Sequence, residues 1–203
     1  MSAQNAIEAV IAAASALKDA ASALQSAYAK LPPVIEREHA AIRARELLAM
    51  EQAADAKAQV GSEIEARFAA LFTAAGGLAA LKHRLFTGGE GPAPRLAALK
   101  DAVAALRELE SAFLAEAGME PMALGVLSHQ VEGLAKLAHD FEAQMRVIKP
   151  LIEGNRHLVQ SMLENYQDSY RFWTRVAEET ALSYNSQGLQ KAEGRLSGFR
   201  VRA

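Results

Sequence analysis

No cysteine occurs among the 203 residues. That excludes disulfides, thiolate zinc sites and a thiol nucleophile, and it suits a reducing, cytoplasmic setting. The chain also lacks a charge balance of one sign. A formal charge of -2 gives no overall pull toward nucleic acid or an acidic membrane surface. No phosphate-binding glycine loop, Gly-x-Ser-x-Gly elbow or zinc-protease motif occurs. No repeat of solenoid length and no strand pattern is evident. No stretch approaches the roughly 18 consecutive apolar residues of a membrane-crossing helix. Neither a catalytic apparatus, a cofactor nor membrane insertion is therefore expected.

What the chain has in plenty is alanine. About half of it is apolar, 51%, but alanine supplies much of that share. Alanine has the best helix propensity and buries little area per side chain, so long helices around a thin core are expected. The run Ala9 to Leu17 loosely resembles a secretion signal. No Lys or Arg precedes it, however, and Glu8 abuts it, so the expectation is a helix of the mature fold.

Apolar periodicity gives the helices. Ile7, Val10, Ala14, Leu17, Ala21, Leu24, Tyr28 and Leu31 recur at steps of three and four, which predicts a helix over 3–31. Pro32 and Pro33 should stop it. A second helix over 33–74 has a plausible inward face of Ile35, Ile42, Ala49, Ala53, Val60, Ile64, Phe68 and Leu71, ending near Gly76-Gly77. Residues 78–86 either extend it or form a short helix. The stretch 88–94, GGEGPAP, reads as a loop. A third helix over 95–117 carries Leu96, Leu99, Val103, Leu106 and Phe113.

The last helix, 122–183, is the most regular. Leu127, Val131, Leu134, Ala138, Phe141, Met145, Ile148, Ile152, Asn155, Val159, Met162, Tyr166, Tyr170, Trp173 and Ala177 follow one another at steps of three or four. Pro150 lies off this seam, so a bend is expected there rather than a stop. The expected fold is all-α: an elongated antiparallel helical bundle, coiled-coil-like, forming one domain over 1–184. A flexible basic tail, 185–203, carries Lys191, Arg195, Arg200 and Arg202.

Candidate chemistry is sparse. Glu36 and His39 match half of a di-iron carboxylate–histidine pattern, but no second Glu-x-x-His exists, and a solvated helix face accounts for the pair. Glu153 and His157 read as a surface i,i+4 pair. Asn155 occupies a seam position that wants an apolar residue. It either fixes register and partner choice or sits at a wet edge. Aromatic residues crowd one end: Tyr166, Tyr170, Phe172, Trp173 and Tyr184 include three of the four tyrosines and the only tryptophan. They form either the best part of the core or a set of interface anchors.

The segment that opens with Asn155-Arg-His-Leu158 and ends in Tyr184-Asn-Ser-Gln-Gly188 resembles the C-terminal signature of FlgN-type flagellar type III export chaperones. There an Asn and a leucine-bearing helix lead to a Tyr-x-x-x-Gly motif and a mobile tail. Residues 34–71 also resemble that family's long first helix, with Glu38, Asp55 and Lys57 as matches. The chain departs from the family in an extra alanine-rich first helix and a glycine-rich insertion.

The resemblance implies binding of flagellar hook-associated, hook–filament junction proteins before export. It also implies delivery to the cytoplasmic domain of the export gate, onto which Tyr184 would dock. The candidate partner-binding set is thus Asn155, Val159, Met162, Tyr166, Tyr170, Trp173, Tyr184 and Gly188. Two other readings remain open. One is a self-associating coiled-coil scaffold, with a homodimer as its simplest form. The other is a bundle enzyme with a carboxylate metal site.

Overall fold

A computed structural model describes residues 3–88, 96, 98–115 and 121–183, with side chains described as far as 178. The described residues form five helices and no strand: α1 (Ala3–Tyr28), α2 (Leu31–Ala44), α3 (Leu47–Thr87), α4 (Leu99–Ala115) and α5 (Pro121–Ser183). The protein is an all-α helical bundle. By its contacts the chain divides into two units, Met1–Glu153 and Gly154–Ala203.

In the first unit, α1 buries Ile7, Val10, Ala14, Leu17, Ala21 and Leu24, the face that its periodicity marks. It ends at Tyr28 and not at 31. Pro32 and Pro33 have no N–H to give the carbonyls of Tyr28 and Ala29. They serve instead in the first turn of α2, where a missing donor costs nothing.

The single helix expected over 33–74 is two. Arg45 takes a left-handed conformation, φ 57°, and Glu46 is extended. The Arg45 N–H donates to the Ile42 carbonyl and the Glu46 N–H to the Ala41 carbonyl, which closes the end of α2. α3 then passes through Gly76 and Gly77 without stopping. Glycine costs a helix about 1 kcal/mol, but Ala75, Leu78, Ala79 and Leu81 around the pair are buried and hold the helix.

α4 starts at Leu99 and not at 95, because Ala98 N–H donates to the Asp101 carboxylate and caps it. The GGEGPAP loop lies outside the described residues apart from Gly88. The expectation of no membrane-length stretch needs one amendment. By length and composition alone, α3 holds an apolar 18-residue window that meets the test for a spanning helix, and most of it is not buried.

Contacts fix how the first unit is wound. Glu38 pairs with Lys57 and Lys30 with Glu63, partners 19 and 33 residues apart, so the separation grows away from the Arg45 turn as in a hairpin. α5 runs parallel to α1: Lys18 lies beside Gly133, Gln25 accepts from Gln144 and Tyr28 stacks edge-on with Phe141. α4 runs against α5, with Lys100 on Glu142 and Glu110 accepting from Ser128. It therefore runs parallel to α3, as the Lys82–Glu108 pair also requires. From α1 to α5 the order is up, up, down, down, up.

The main core joins Leu17, Leu78, Leu106, Leu127 and Leu134, and a second core joins Leu31, Val34, Ile35, Val60 and Ile148. α5 does not stop at Pro150, whose side chain is exposed.

Candidate functional site

Most of the candidate set lies in the second unit, on the part of α5 from Gly154 onward. Asn155 is buried, at 6% exposure, so the amide sits in the seam and not at a wet edge. Val159 and Met162 are half-buried. Tyr166, Tyr170 and Trp173 are 60%, 74% and 65% exposed. They are therefore not part of a core of this chain. Phe172 meets Trp173 edge to face, with centroids 5.3 Å apart, a favourable aromatic geometry that fixes the indole on the helix surface. Tyr184 and Gly188 lie outside the described residues.

The stripe has a defined electrostatic character. At 3.6 residues per turn, Val159, Met162, Tyr166, Tyr170, Trp173 and Ala177 fall on one face with Leu163 at its margin. The charged residues of the same span, Glu164, Asp168, Arg171 and Arg175, fall on the opposite face. There Arg171 lies 3.6 Å from Asp168 as an exposed i,i+3 pair. The apolar face thus carries no charge between 159 and 177. It can bury area against a partner without stranding an ion, and it offers tyrosine hydroxyls for hydrogen bonds at the edge.

Other candidates are less organised. Glu36 is exposed and His39 half-buried. Among the described residues no three His, Asp or Glu side chains gather as a metal site. Glu153 and His157 are both exposed. Of the positions matched to the family's first helix, Glu38 and Lys57 do meet. The Lys57 ammonium donates to both Glu38 oxygens at 2.5 and 2.7 Å, and the carboxylate is buried. Asp55 is exposed.

The sequence reading missed one feature, an apolar cavity of about 280 Å³ in the first unit, lined by Leu17, Leu24, Phe68, Phe72, Leu99 and Phe141 among others. Phe68, expected on the inward face, is 44% exposed beside this cavity. Lys100 and Glu142 also line it and are bonded to each other at 2.5 Å. The Lys100 hydrogen bond holds the Glu142 carboxyl below the usual carboxylate range. No signal in the sequence located the cavity, because it depends on α4 lying parallel to α3. No protein-family model, curated protein or solved structure matches this chain.

Proposed function

We propose that this protein is a cytosolic export chaperone. It would bind hook–filament junction proteins of the flagellum and deliver them to the cytoplasmic domain of the type III export gate. The observation that carries the reading is the uncharged, exposed aromatic stripe on α5, which lies within the segment that resembles the FlgN-type signature. A chaperone of this kind needs an apolar helical surface that covers an amphipathic segment of its client until secretion, the helix-in-groove mode of recognition. It needs no catalytic group. Trp173 is the main anchor in this reading, with Tyr166 and Tyr170 beside it.

The test is binding of purified junction proteins to the Trp173→Ala variant, with circular dichroism as the folding control. Loss of about 2 kcal/mol or more is expected for an anchor of this size. Unchanged affinity in a folded variant removes Trp173 from the site. Docking at the gate is assigned to Tyr184 and Gly188 with the basic tail, so Tyr184→Ala should weaken gate binding, in a salt-sensitive way, while client binding persists. The second reading, a coiled-coil scaffold, draws on the same exposed seam. A scaffold grows with concentration, whereas a chaperone stays small and forms a defined complex with its client.

A further inference from the structure

We infer that the exposed stripe of α5 pairs with the same stripe of a second copy of this chain, antiparallel, about a two-fold axis at Tyr166. The seam residues Val159, Met162, Tyr166, Tyr170 and Trp173 are separated by steps that read the same in both directions, because two steps of four meet at Tyr166. A regular heptad alternates three and four throughout, and this local departure is a stutter. Two antiparallel copies therefore bring every seam residue level with another. Tyr166 meets its own symmetry mate, Met162 meets Tyr170 and Val159 meets Trp173, while Asn155, buried within its own chain, stays out of the contact.

The sizes also match. The bulkiest rings lie in the second half of the stripe and the slimmer side chains in the first, so the layers on either side of the Tyr166 pair each join a large residue to a smaller one, Tyr170 to Met162 and Trp173 to Val159. A parallel pairing would stack Trp173 on Trp173 and leave Val159 against Val159. Charge does not oppose the contact, since Glu164, Asp168, Arg171 and Arg175 lie on the far face.

The area suffices. A buried Tyr or Trp covers roughly 150–250 Å², and Tyr166, Tyr170 and Trp173 are 60%, 74% and 65% exposed. With Met162 and Leu163 added, two copies reach on the order of the 1,000 Å² that a specific interface requires. The stripe is also continuous in sequence with the buried seam from Leu127 to Ile148. A two-fold contact of this kind closes at two chains and does not propagate. It covers the face assigned above to the client, so client and second copy compete for it.

The chain contains no cysteine, so single introduced thiols report the register. In the full chain, Tyr166→Cys is expected to form a disulfide-linked dimer on oxidation. Val159→Cys alone is not, but an equimolar mixture of Val159→Cys with Trp173→Cys is. Light scattering of the unmodified protein should give twice the 21.7 kDa chain mass, and Tyr166→Glu, which sets two carboxylates face to face, should give a monomer with unchanged helicity. A monomeric mass at every concentration reached overturns the inference, as does self-crosslinking of Val159→Cys without that of Tyr166→Cys. Monomeric protein that still loses client on Trp173→Ala sinks the pairing and leaves the chaperone reading intact. A dimer with no affinity for junction proteins does the reverse.

Discussion

Two stretches of one helix carry the same pattern and meet different fates. From Leu127 to Ile148, the α5 seam is buried at Leu127, Val131, Leu134, Ala138 and Ile148. From Tyr166 to Trp173, the same kind of steps place large aromatic side chains in solvent. Hydrophobic periodicity thus reports that a face needs a partner; it does not report that the chain itself supplies one. Large exposed aromatics on an uncharged face are costly to keep in water, which makes that stretch the natural place for a second molecule to bind.

The sharpest way to break the comparison is truncation in both stretches. Leu134→Ala, at a residue with 0% exposure, is expected to lower unfolding free energy by about 2–5 kcal/mol. Tyr170→Ala, made in the monomeric Tyr166→Glu background so that no second copy covers the ring, should change it by less than about 0.5 kcal/mol. Chemical denaturation followed by circular dichroism checks both. Equal losses would show that the exposed stretch is held by contacts of its own chain.

Next in size is Lys57→Ala, which leaves the buried Glu38 carboxylate without its ammonium. Such a loss commonly costs about 3–5 kcal/mol. The Lys57 side chain is 37% exposed, so about 1–3 kcal/mol is expected after solvent screening. Replacing both residues with Met should recover most of it in the same denaturation assay.

A smaller and opposite effect is expected at the turn between α2 and α3. Arg45 holds φ 57°, a region that costs a residue with a Cβ about 1–2 kcal/mol. Arg45→Gly should relieve that strain and add about 0.5–1 kcal/mol net of glycine's extra chain entropy. A lower melting temperature would mean that the arginine side chain supports the turn.

The smallest effect concerns Glu63, whose carboxyl is held below the usual range by the hydrogen bond from Lys30, opposed by desolvation and helped by Lys30 and Arg67 charge. Its folded-state value is depressed, so this contribution to stability is complete above about pH 4.5 and fades as pH falls through the lowered value. Lys30→Ala should return the carboxyl toward its ordinary titration, read by NMR of the Glu63 side chain.

Much of the bundle was legible because burial follows period. The buried face of α1 and the first half of the α5 seam are the residues that the spacing marks. The turn at Arg45 was not legible, since the sequence Ala-Ile-Arg-Ala-Arg-Glu-Leu-Leu contains neither glycine nor proline and every residue in it tolerates a helix. Gly76-Gly77 misled in the other sense, because packing of α3 outweighs the local preference of two glycines. The Glu38–Lys57 pair was invisible for the same reason as the turn, since only a hairpin at Arg45 brings the two together.

At the candidate site, the crowding of aromatics could be read from the sequence. Their exposure could not, because nothing in a single chain's pattern says where its partner helices end. The placements of Tyr184 and Gly188 lie outside the described residues.

The parallel contact of α1 with α5 has a consequence for the order in which the chain acquires its structure. Gln25 meets Gln144 across 119 residues of sequence, while the hairpin of α1, α2 and α3 is complete without α5. At a synthesis rate of roughly 5–20 residues per second, on the order of ten seconds separate the emergence of these two partners. Between the emergence of α3 and that of α5, Ile7 and Leu17 have only α3, and then α4, for cover. The nascent amino-terminal hairpin is then the species most exposed to aggregation, and its lifetime is set by translation more than by the speed of helix formation.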